Sequence, residues 1–391
     1  PALAEAPVTE IPREESLVFN GQQWGTPANF NLFAMSNIAF PVGGDQRFPV
    51  YEALYMYNML TNENEPLLAD CAIEWEDDHN IIVKLKDNIH FSDGEALNAD
   101  DVVFTYNISN DGNGGYYTSW SNVWSYLDKV EKVDDLTVKF TIAAEPYNVH
   151  MLPYELAKVK ILPEHIWQPI FDDAAGDLEK VRGLFVEDPI GSGPFKLYFW
   201  DETRIVCIRD YNYWGQADNM FGKLSEVKYM VHPLSQDNAA GNLAFSQGEV
   251  DVSKQFLPNV WELQESMDAP VTTYLEEAPY QLGAGMPSLI FNLTKPGLDD
   301  YAVRKAIALC LDYEAINVNA MSGYSEDLVY CFFNAYLIGD YIDFEDEELQ
   351  ELMWDTTDLD ANLEEANRLL DEAGYLDVDG DGLRELPDGT K

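Results

Sequence analysis

Residues 91–107 read FSDGEALNADDVVFTYN, and this stretch specifies a turn followed by a helix. Ser92-Asp93-Gly94 supplies turn-forming residues. Asn98 is a favourable helix N-cap, and Asp101 places a carboxylate on the first turn, where it meets the positive end of the helix. We therefore predict a helix that starts near Ala99 and buries a face with helical spacing, made of Ala99, Val102, Val103 and Tyr106.

The rest of the chain alternates between short strands and helices, without a long linker. Residues 81–86 alternate apolar residues with lysines, which is typical of a half-buried strand. Three further strands are predicted to share one mixed sheet, at 17–19, 204–208 and 249–252. Helices are predicted at 100–108, 300–311 and 361–373. This pattern predicts an α/β protein with mixed α+β lobes.

The stretch at 91–107 also resembles the signature of the family 5 extracellular solute-binding proteins of ABC importers. That signature runs roughly Phe-x-Asp-Gly-x-x-Leu-x-Ala-x-Asp-Val-Val-Phe, and every fixed position is matched. Four further stretches resemble the family in the same order, namely 188–195 (DPIGSGPF), 209–215 (RDYNYWG), 247–251 (QGEVD), and Phe291-Asn292 with 300–306 (DYAVRKA). The resemblance covers nearly the whole chain, and members of the family bind oligopeptides, dipeptides, nickel chelates or cello-oligosaccharides.

The resemblance implies a type II periplasmic-binding-protein-like fold, with two large lobes around an interlobe groove and an extra subdomain. Lobe I is then expected at 1–43 and 189–275, lobe II, the extra subdomain, at 44–188, and lobe III at 276–391. Relatives continue well beyond the equivalent of Lys391, so we expect a C-terminally truncated chain with an incomplete lobe III. The glycines at 191–193 are expected to let the backbone turn sharply at a lobe crossing.

Composition and charge exclude several classes of partner. Hydrophobic residues make up 46% of the chain and aromatic residues 13%, which argues against disorder. The 70 acidic and 23 basic residues give a formal net charge of −47, so nucleic acid and anionic lipid are not expected as partners. A solvated acidic surface explains this charge, and attraction of cationic ligands is the alternative.

The sequence contains no apolar run that approaches the roughly 18 residues of a membrane helix. Residues 1–8 (PALAEAPV) are typical of a flexible leader that remains after processing or cloning. The resemblance implies an export signal and a lipid-anchored cysteine upstream. We therefore expect an extracellular, cell-surface or periplasmic protein that contacts the membrane only through a lipid anchor absent from this chain.

Four cysteines lie at 71, 207, 310 and 331, and their spacing matches neither zinc sites nor redox dithiols. If they pair, the sequence permits three connectivities. Cys310 lies in a helical run whose apolar face contains Val303, Ala306, Ile307 and Leu311, so we expect a buried thiol there.

Candidate ligand-binding residues follow the first predicted strand. The stretch from Gly21 to Asn31 (GQQWGTPANFN) resembles the segment that enters the groove in cello-oligosaccharide-binding members of the family. Sugars need planar apolar platforms and amide groups, which this stretch offers in Gln22, Gln23, Trp24, Asn29 and Asn31. The alternative is that Trp24 packs into lobe I, as we expect for Phe30.

A second aromatic cluster follows the glycine-rich residues 111–115. Aromatic residues on such loops are often contacts, so we predict that Tyr117 and Trp120 bind ligand. Trp124 is expected to pack against its own helix. Tyr213 and Trp214 belong to a family motif and are assigned to structure.

The stretch at 377–388 (DVDGDGLRELPD) has the spacing of a calcium-binding loop. The expected oxygen donors are Asp377, Asp379, Asp381, the Leu383 carbonyl and Asp388, with Glu385 at the ninth position. Asp388 stands where a longer glutamate is usual, so a plain acidic turn is the alternative. Any metal here would be structural, and no other cofactor is predicted.

These features together imply a receptor that captures an oligosaccharide or oligopeptide between lobes by hinge closure and delivers it to the permease of an ABC importer. It would act as a monomer. It would also act without catalysis, because the sequence contains no nucleophile elbow, metal-binding histidine pair or dinucleotide fingerprint. Two alternatives stay open. One is a secreted glycosidase, whose paired carboxylates only a structure can reveal, and the other is a calcium-stabilised adhesive module.

Overall fold

The computed structural model divides the chain into two compact units, Pro1–Gln255 and Phe256–Lys391. The structure describes residues 10–22, 25–26, 29–34, 38–43, 49–58, 61, 63–110, 118, 120–145, 147–218, 220–254, 267, 270–273, 289–321, 343, 346–352, 355 and 357–390. The lobe boundaries predicted from the family remain predictions.

The first unit contains the strands and five of the helices that the structure describes. Its strands are β1 (Ser16–Asn20), β2 (Tyr55–Asn58), β3 (Glu63–Pro66), β4 (Glu74–Trp75), β5 (Asn80–Lys84), β6 (Leu127–Asp134), β7 (Thr137–Ile142), β8 (Phe195–Trp200), β9 (Arg204–Arg209), β10 (Tyr229–Pro233) and β11 (Val252–Ser253). Its helices are α1 (Ala99–Ile108), α2 (Met151–Leu156), α3 (Glu164–Ala174), α4 (Leu178–Gly183) and α5 (Asn238–Ser246). Short 3-10 turns lie at Arg13–Glu15, Ser121–Ser125 and Trp214–Gln216.

A five-stranded mixed sheet has the strand order β11-β1-β10-β9-β8. β1 pairs in parallel with β10 and β11, whereas β9 is antiparallel to both of its neighbours. The three strands predicted to share one sheet all lie in it, which confirms that prediction, although the last one begins three residues later than expected. Apolar residues cover both faces of the sheet, and one face carries its own small core of Val18, Val206, Tyr229, Val231 and Val250.

The stretch at 91–107 folds as predicted beside a four-stranded antiparallel sheet with the order β4-β5-β7-β6. The Asn98 side chain accepts a hydrogen bond from the N–H of Asp100 at 2.7 Å, and the Asp101 carboxylate accepts one from the N–H of Asn98 at 2.9 Å. These contacts form a capping box at the start of α1. Ala99, Val102 and Tyr106 are buried, and Val103 is half-buried.

Two extended segments pass very close together between the two sheets. The N–H groups of Gly193 and Phe195 donate to the carbonyls of Val50 and Pro49, both at 2.8 Å. A Cβ on Gly191 would lie only 2.1 Å from the Val50 oxygen, so a larger residue would block this approach. Neither Gly191 nor Gly193 has a positive φ. The glycines are therefore needed for close backbone approach, not for the sharp turn that the sequence predicted.

One continuous core joins the two sheets of the first unit. It includes Phe19 and Ile205 from the five-stranded sheet together with Ile81, Val83 and Phe140 from the four-stranded sheet. Shared burial of this kind stabilises both sheets at once, because each buried side chain adds roughly 1.5–3 kcal/mol of hydrophobic free energy. The two sheets are thus parts of one packed body.

In the second unit the described helices are α6 (Tyr301–Leu309), α7 (Tyr313–Met321), α8 (Glu347–Leu352) and α9 (Leu359–Glu372). α6 packs against α9 through Ala306, Leu309 and Ala366. Cys310 follows α6 and is exposed, so the predicted buried thiol is wrong: the buried face of the helix ends at Leu309. Cys71, Cys207 and Cys310 are unpaired, and Cys331 lies outside the described residues.

Every helix in the described part of the chain is too short or too polar to cross a bilayer.

Candidate ligand-binding site

The carboxyl ends of β1, β8, β10 and β11 meet at one edge of the five-stranded sheet, as the strand directions require. In open α/β sheets this edge is the usual place for ligands. β1 ends at this edge, and Gln22 follows two residues later. Its backbone N–H donates to Nε2 of His232 at 3.0 Å. His232 is buried between Phe19 and Phe40, so it fixes the start of the candidate segment.

Gln23 and Trp24 lie outside the described residues. In the same segment, Asn29 is described, and its side chain makes structural hydrogen bonds. Its Nδ2 donates to the Leu184 carbonyl at 2.7 Å, and its Oδ1 accepts from the N–H groups of Asn31 at 3.0 Å and Val186 at 3.2 Å. Asn29 therefore holds residues 184–186 in place.

Asn31 is fully buried and has a similar role. Its Nδ2 donates to the carbonyls of Val181 at 2.6 Å and Leu184 at 3.0 Å, while its Oδ1 accepts from the N–H of Phe33 at 2.8 Å. Such contacts satisfy a buried amide and leave nothing to offer a ligand. The structure thus corrects the expectation that Asn31 binds ligand directly. Phe30 is fully buried, as predicted.

Trp120 is also placed differently from the prediction. Its side chain is only 6% exposed and packs against Phe33, with ring centroids 5.5 Å apart. Burial of this ring in the apolar core around Phe33 is more favourable than its exposure to solvent. Trp120 is therefore a core residue and not a ligand contact in this structure. Tyr117 lies outside the described residues. Trp124 lies in the 3-10 turn Ser121–Ser125 and donates from its indole N–H to the Tyr106 carbonyl of α1 at 3.0 Å, so it packs against α1 instead of its own helical turn as predicted.

Two aromatic residues that the sequence did not single out lie at the carboxyl edge. Trp200 ends β8 and is half-buried, with its ring 5.8 Å from that of Phe30. Phe185 packs on Trp200 at 6.4 Å and remains 50% exposed. No local sequence pattern marks these two residues, because only the strand order and the contacts of Asn29 bring them together.

Tyr213 and Trp214 are buried, which confirms their structural assignment. They bind the carboxylate of Glu52, which is only 1% exposed: the Tyr213 hydroxyl donates to Oε1 at 2.5 Å and the Trp214 indole N–H donates to Oε2 at 2.9 Å. Burial raises the pKa of Glu52 to about 7, although these two hydrogen bonds and the charge of Lys86 oppose the rise. This cluster lies where residues 49–52 and 191–195 cross.

The acidic loop of the second unit brings together four carboxylates. One oxygen from each of Asp377, Asp379, Asp381 and Glu385 lies within 4.8 Å of the others. Both oxygens of Asp377 accept backbone hydrogen bonds, from Gly380 at 2.8 Å and Gly382 at 3.0 Å. Hard oxygen donors in this arrangement fit Ca²⁺.

Asp388 does not join this group. Its carboxylate accepts hydrogen bonds from the N–H of Thr390 at 3.0 Å and from the Thr390 hydroxyl at 2.6 Å, so it closes a local turn. Glu385 is buried and accepts from the N–H of Val378 at 2.8 Å. The structure thus corrects the expected donor set: the group of carboxylates includes Glu385 and does not include Asp388.

The sequence of the curated oligopeptide-binding protein AppA of Bacillus subtilis (strain 168) is 27% identical to this chain over 353 residues, which is 86% of this chain and 57% of the relative. An uncharacterized protein, y4wM, of Sinorhizobium fredii is 24% identical over 320 residues, which is 74% of this chain and 47% of the relative. The chain thus spans about half the length of the curated relatives that it matches.

Solved structures share the fold. The mannohexaose-bound periplasmic oligopeptide-binding protein from Thermotoga maritima matches with a TM-score of 0.75 and 29% identity, over 98% of this chain and 66% of that chain. AppA from Bacillus subtilis, in complex with a nonapeptide, matches with a TM-score of 0.70 and 23% identity, over 96% of this chain and 67% of that chain. These likenesses confirm the predicted mixed α/β fold of the periplasmic oligopeptide-binding proteins.

The family assignment follows from a match over most of the chain. Residues 63–391 match the sequence profile described as "Bacterial extracellular solute-binding proteins, family 5 Middle". Proteins of this family are binding proteins rather than enzymes, are extracellular or periplasmic, and work with a membrane permease. The profile includes residues 91–107, the stretch that first indicated the relationship. The chain belongs to the family 5 bacterial extracellular solute-binding proteins.

Proposed function

We propose that this chain is the solute-capturing part of an ABC import receptor, which binds an oligosaccharide or oligopeptide and passes it to a permease. One observation carries the proposal: 98% of the chain superposes on an oligopeptide-binding protein with a bound hexasaccharide, at a TM-score of 0.75. The carboxyl edge of the five-stranded sheet, with Gln22 and the aromatic pair Phe185 and Trp200, would supply part of the site.

Between the two ligand classes we favour the oligosaccharide. The Thermotoga maritima protein that holds mannohexaose is 29% identical to this chain, whereas the AppA structure that holds a nonapeptide is 23% identical. The exposed aromatic ring of Phe185 is also the kind of group that a sugar ring requires. An oligopeptide is the second candidate, supported by the 27% sequence identity to AppA.

The proposed receptor makes and breaks no bond. Glu52 has the most deeply buried carboxylate in the described part of the first unit. Its two oxygens accept hydrogen bonds from Tyr213 and Trp214, so its role is structural. The glycosidase alternative would require two carboxyl groups that flank a substrate bond at about 5–9.5 Å from each other.

We further propose that the protein acts as a monomer and is held at the cell surface by a lipid anchor outside this chain.

We also propose that the loop formed by residues 377–385 binds a structural Ca²⁺ through Asp377, Asp379, Asp381 and Glu385, with the Leu383 carbonyl as a further donor. The grouping of the four carboxylates supports this assignment. A bound ion would offset the mutual repulsion of these carboxylates and hold the loop in one conformation. This role would be structural and separate from solute capture, and it would also fit the adhesive-module alternative.

Titration of the chain with cello-oligosaccharides, mannohexaose and mixed oligopeptides tests the receptor proposal. Intrinsic tryptophan fluorescence and heat are followed, and the ligand is analysed after incubation. Saturable binding of one class, with the ligand recovered unchanged, is the expected result. Steady release of shortened products would contradict the proposal. Trp24→Ala should weaken sugar binding if Trp24 enters the site, and unchanged affinity would assign Trp24 to the core.

A further inference from the structure

We propose that Phe185, supported by Trp200, is a platform for one sugar ring and selects oligosaccharides over oligopeptides. This inference rests on the proposed function, and it concerns residues that lie outside both candidate segments of the sequence analysis. Its basis is an aromatic ring that is half-exposed, carried by a segment that two asparagine side chains hold, and placed at the carboxyl edge of the five-stranded sheet.

Three aromatic rings pack in series from the core to the surface, and neighbouring rings are tilted by 54° and 50°. Phe30 is fully buried, Trp200 is half-buried, and Phe185 is 50% exposed. The ring centroids are 5.8 Å apart in the inner pair and 6.4 Å apart in the outer pair. Phe30 thus packs against Trp200 in the core, and Trp200 packs obliquely against Phe185. Half of the Phe185 surface stays in contact with water, where a flat apolar partner would be stabilised.

The backbone on both sides of Phe185 is fixed by asparagine side chains. Asn29 donates to the carbonyl of Leu184 at 2.7 Å and accepts from the N–H of Val186 at 3.2 Å. Asn31 adds a second donor to the Leu184 carbonyl at 3.0 Å. A ring that is held in place before the ligand arrives loses little conformational entropy on binding. The amides that the sequence predicted to bind ligand directly therefore hold the segment that carries the ring.

The position of the pair agrees with a ligand contact. Trp200 is the last residue of β8, so the pair lies at the same edge as Gln22 and the end of β1. A pyranose ring presents a flat face of C–H groups, which suits an exposed aromatic face, whereas peptide affinity comes mainly from backbone hydrogen bonds and side-chain pockets. We therefore assign the platform to a sugar ring.

The chain offers a matched control in Phe221. Phe221 is 57% exposed and contacts one aromatic ring, that of Tyr213, at the same centroid distance of 6.4 Å. It lies between the end of β9 and the start of β10, which places it at the opposite edge of the sheet. Phe221→Ala removes a similar exposed ring without touching the carboxyl edge.

Calorimetric titration of the full chain with mannohexaose and with a nonapeptide tests the platform. Phe185→Ala and Phe185→Leu should weaken mannohexaose binding about tenfold, which corresponds to about 1.4 kcal/mol, and leave nonapeptide binding unchanged. Phe185→Tyr and Phe221→Ala should bind mannohexaose as the parent chain does. Melting curves followed by circular dichroism check that each variant is folded.

Two results would overturn the platform while leaving the receptor proposal intact. The first is mannohexaose affinity that Phe185→Ala and Phe185→Leu leave unchanged. The second is loss of nonapeptide affinity in Phe185→Ala, which would assign the ring to an apolar side chain. If the parent chain binds neither probe saturably, the proposed function itself is contradicted, and the platform falls with it.

Discussion

Glu52 is the residue whose titration should be visible in the stability of the molecule. Burial raises its folded-state pKa to about 7 from an ordinary value of 4.5, so the folded state binds the proton more tightly than the unfolded state. Its contribution is therefore most favourable below pH 4.5 and is lost as the pH rises towards 7. A rise of this size corresponds to about 3 kcal/mol.

Glu52→Gln should remove this pH dependence. The amide can donate to the Tyr213 oxygen and accept from the Trp214 indole, which is the pattern of a protonated glutamic acid. Urea unfolding at pH 5 and pH 8 should show that the parent chain loses more stability across this interval than the variant does, by up to about 3 kcal/mol. The exposed Glu202→Gln serves as control and should follow the parent. Equal pH profiles for parent chain and Glu52→Gln would contradict the buried titration.

At the scale of single residues, the sequence predicts local contacts well and distant ones poorly. Asn98 and Asp101 form the expected capping box, because their partners are within three residues. The other oxygen of Asp101 accepts from the N–H of Glu164 at 2.9 Å, a contact with a residue far along the chain that no local pattern contains. Asn31 was mistaken for a ligand contact for the same reason, since its partners are Val181 and Leu184.

The acidic loop gives a test at the scale of one element. Ca²⁺ at about 100 times its Kd should stabilise the folded chain by about 2.7 kcal/mol, provided that the unfolded chain does not bind it. Melting temperature in calcium and in chelator measures this difference. Asp379→Asn should reduce the calcium response, whereas Asp388→Asn should keep it, because Asp388 bonds to Thr390 instead. A melting temperature that is the same in calcium and in chelator would exclude the ion.

Helices and strands were predicted more reliably than the residues of the candidate site. Hydrophobic periodicity and capping residues located β1, β5, β9, α1, α6 and α9, because these signals are local. Strand order is not local, and it is strand order that brings Trp200 of β8 to the same edge as the end of β1. The sequence therefore indicated Gln22 as a candidate site residue but could not indicate Trp200 or Phe185.

The net charge of −47 has a consequence for the molecule as a whole. Like charges at this density repel one another and destabilise the compact state. Raising NaCl from 0.1 M to 1 M shortens the screening length from about 10 Å to about 3 Å, so the melting temperature should rise. The measurement is made with chelator present, which separates screening from calcium binding. A melting temperature that falls with added NaCl would show that attractive ion pairs outweigh the repulsion.

We propose above that this chain captures an oligosaccharide without altering it. Equilibrium dialysis of the chain against mannohexaose, followed by analysis of the recovered sugar, tests it most directly. We predict saturable retention of one hexasaccharide for each chain, with the sugar recovered at its original length. Retention of no sugar at saturating concentration, or recovery of shortened sugars, would contradict the claim.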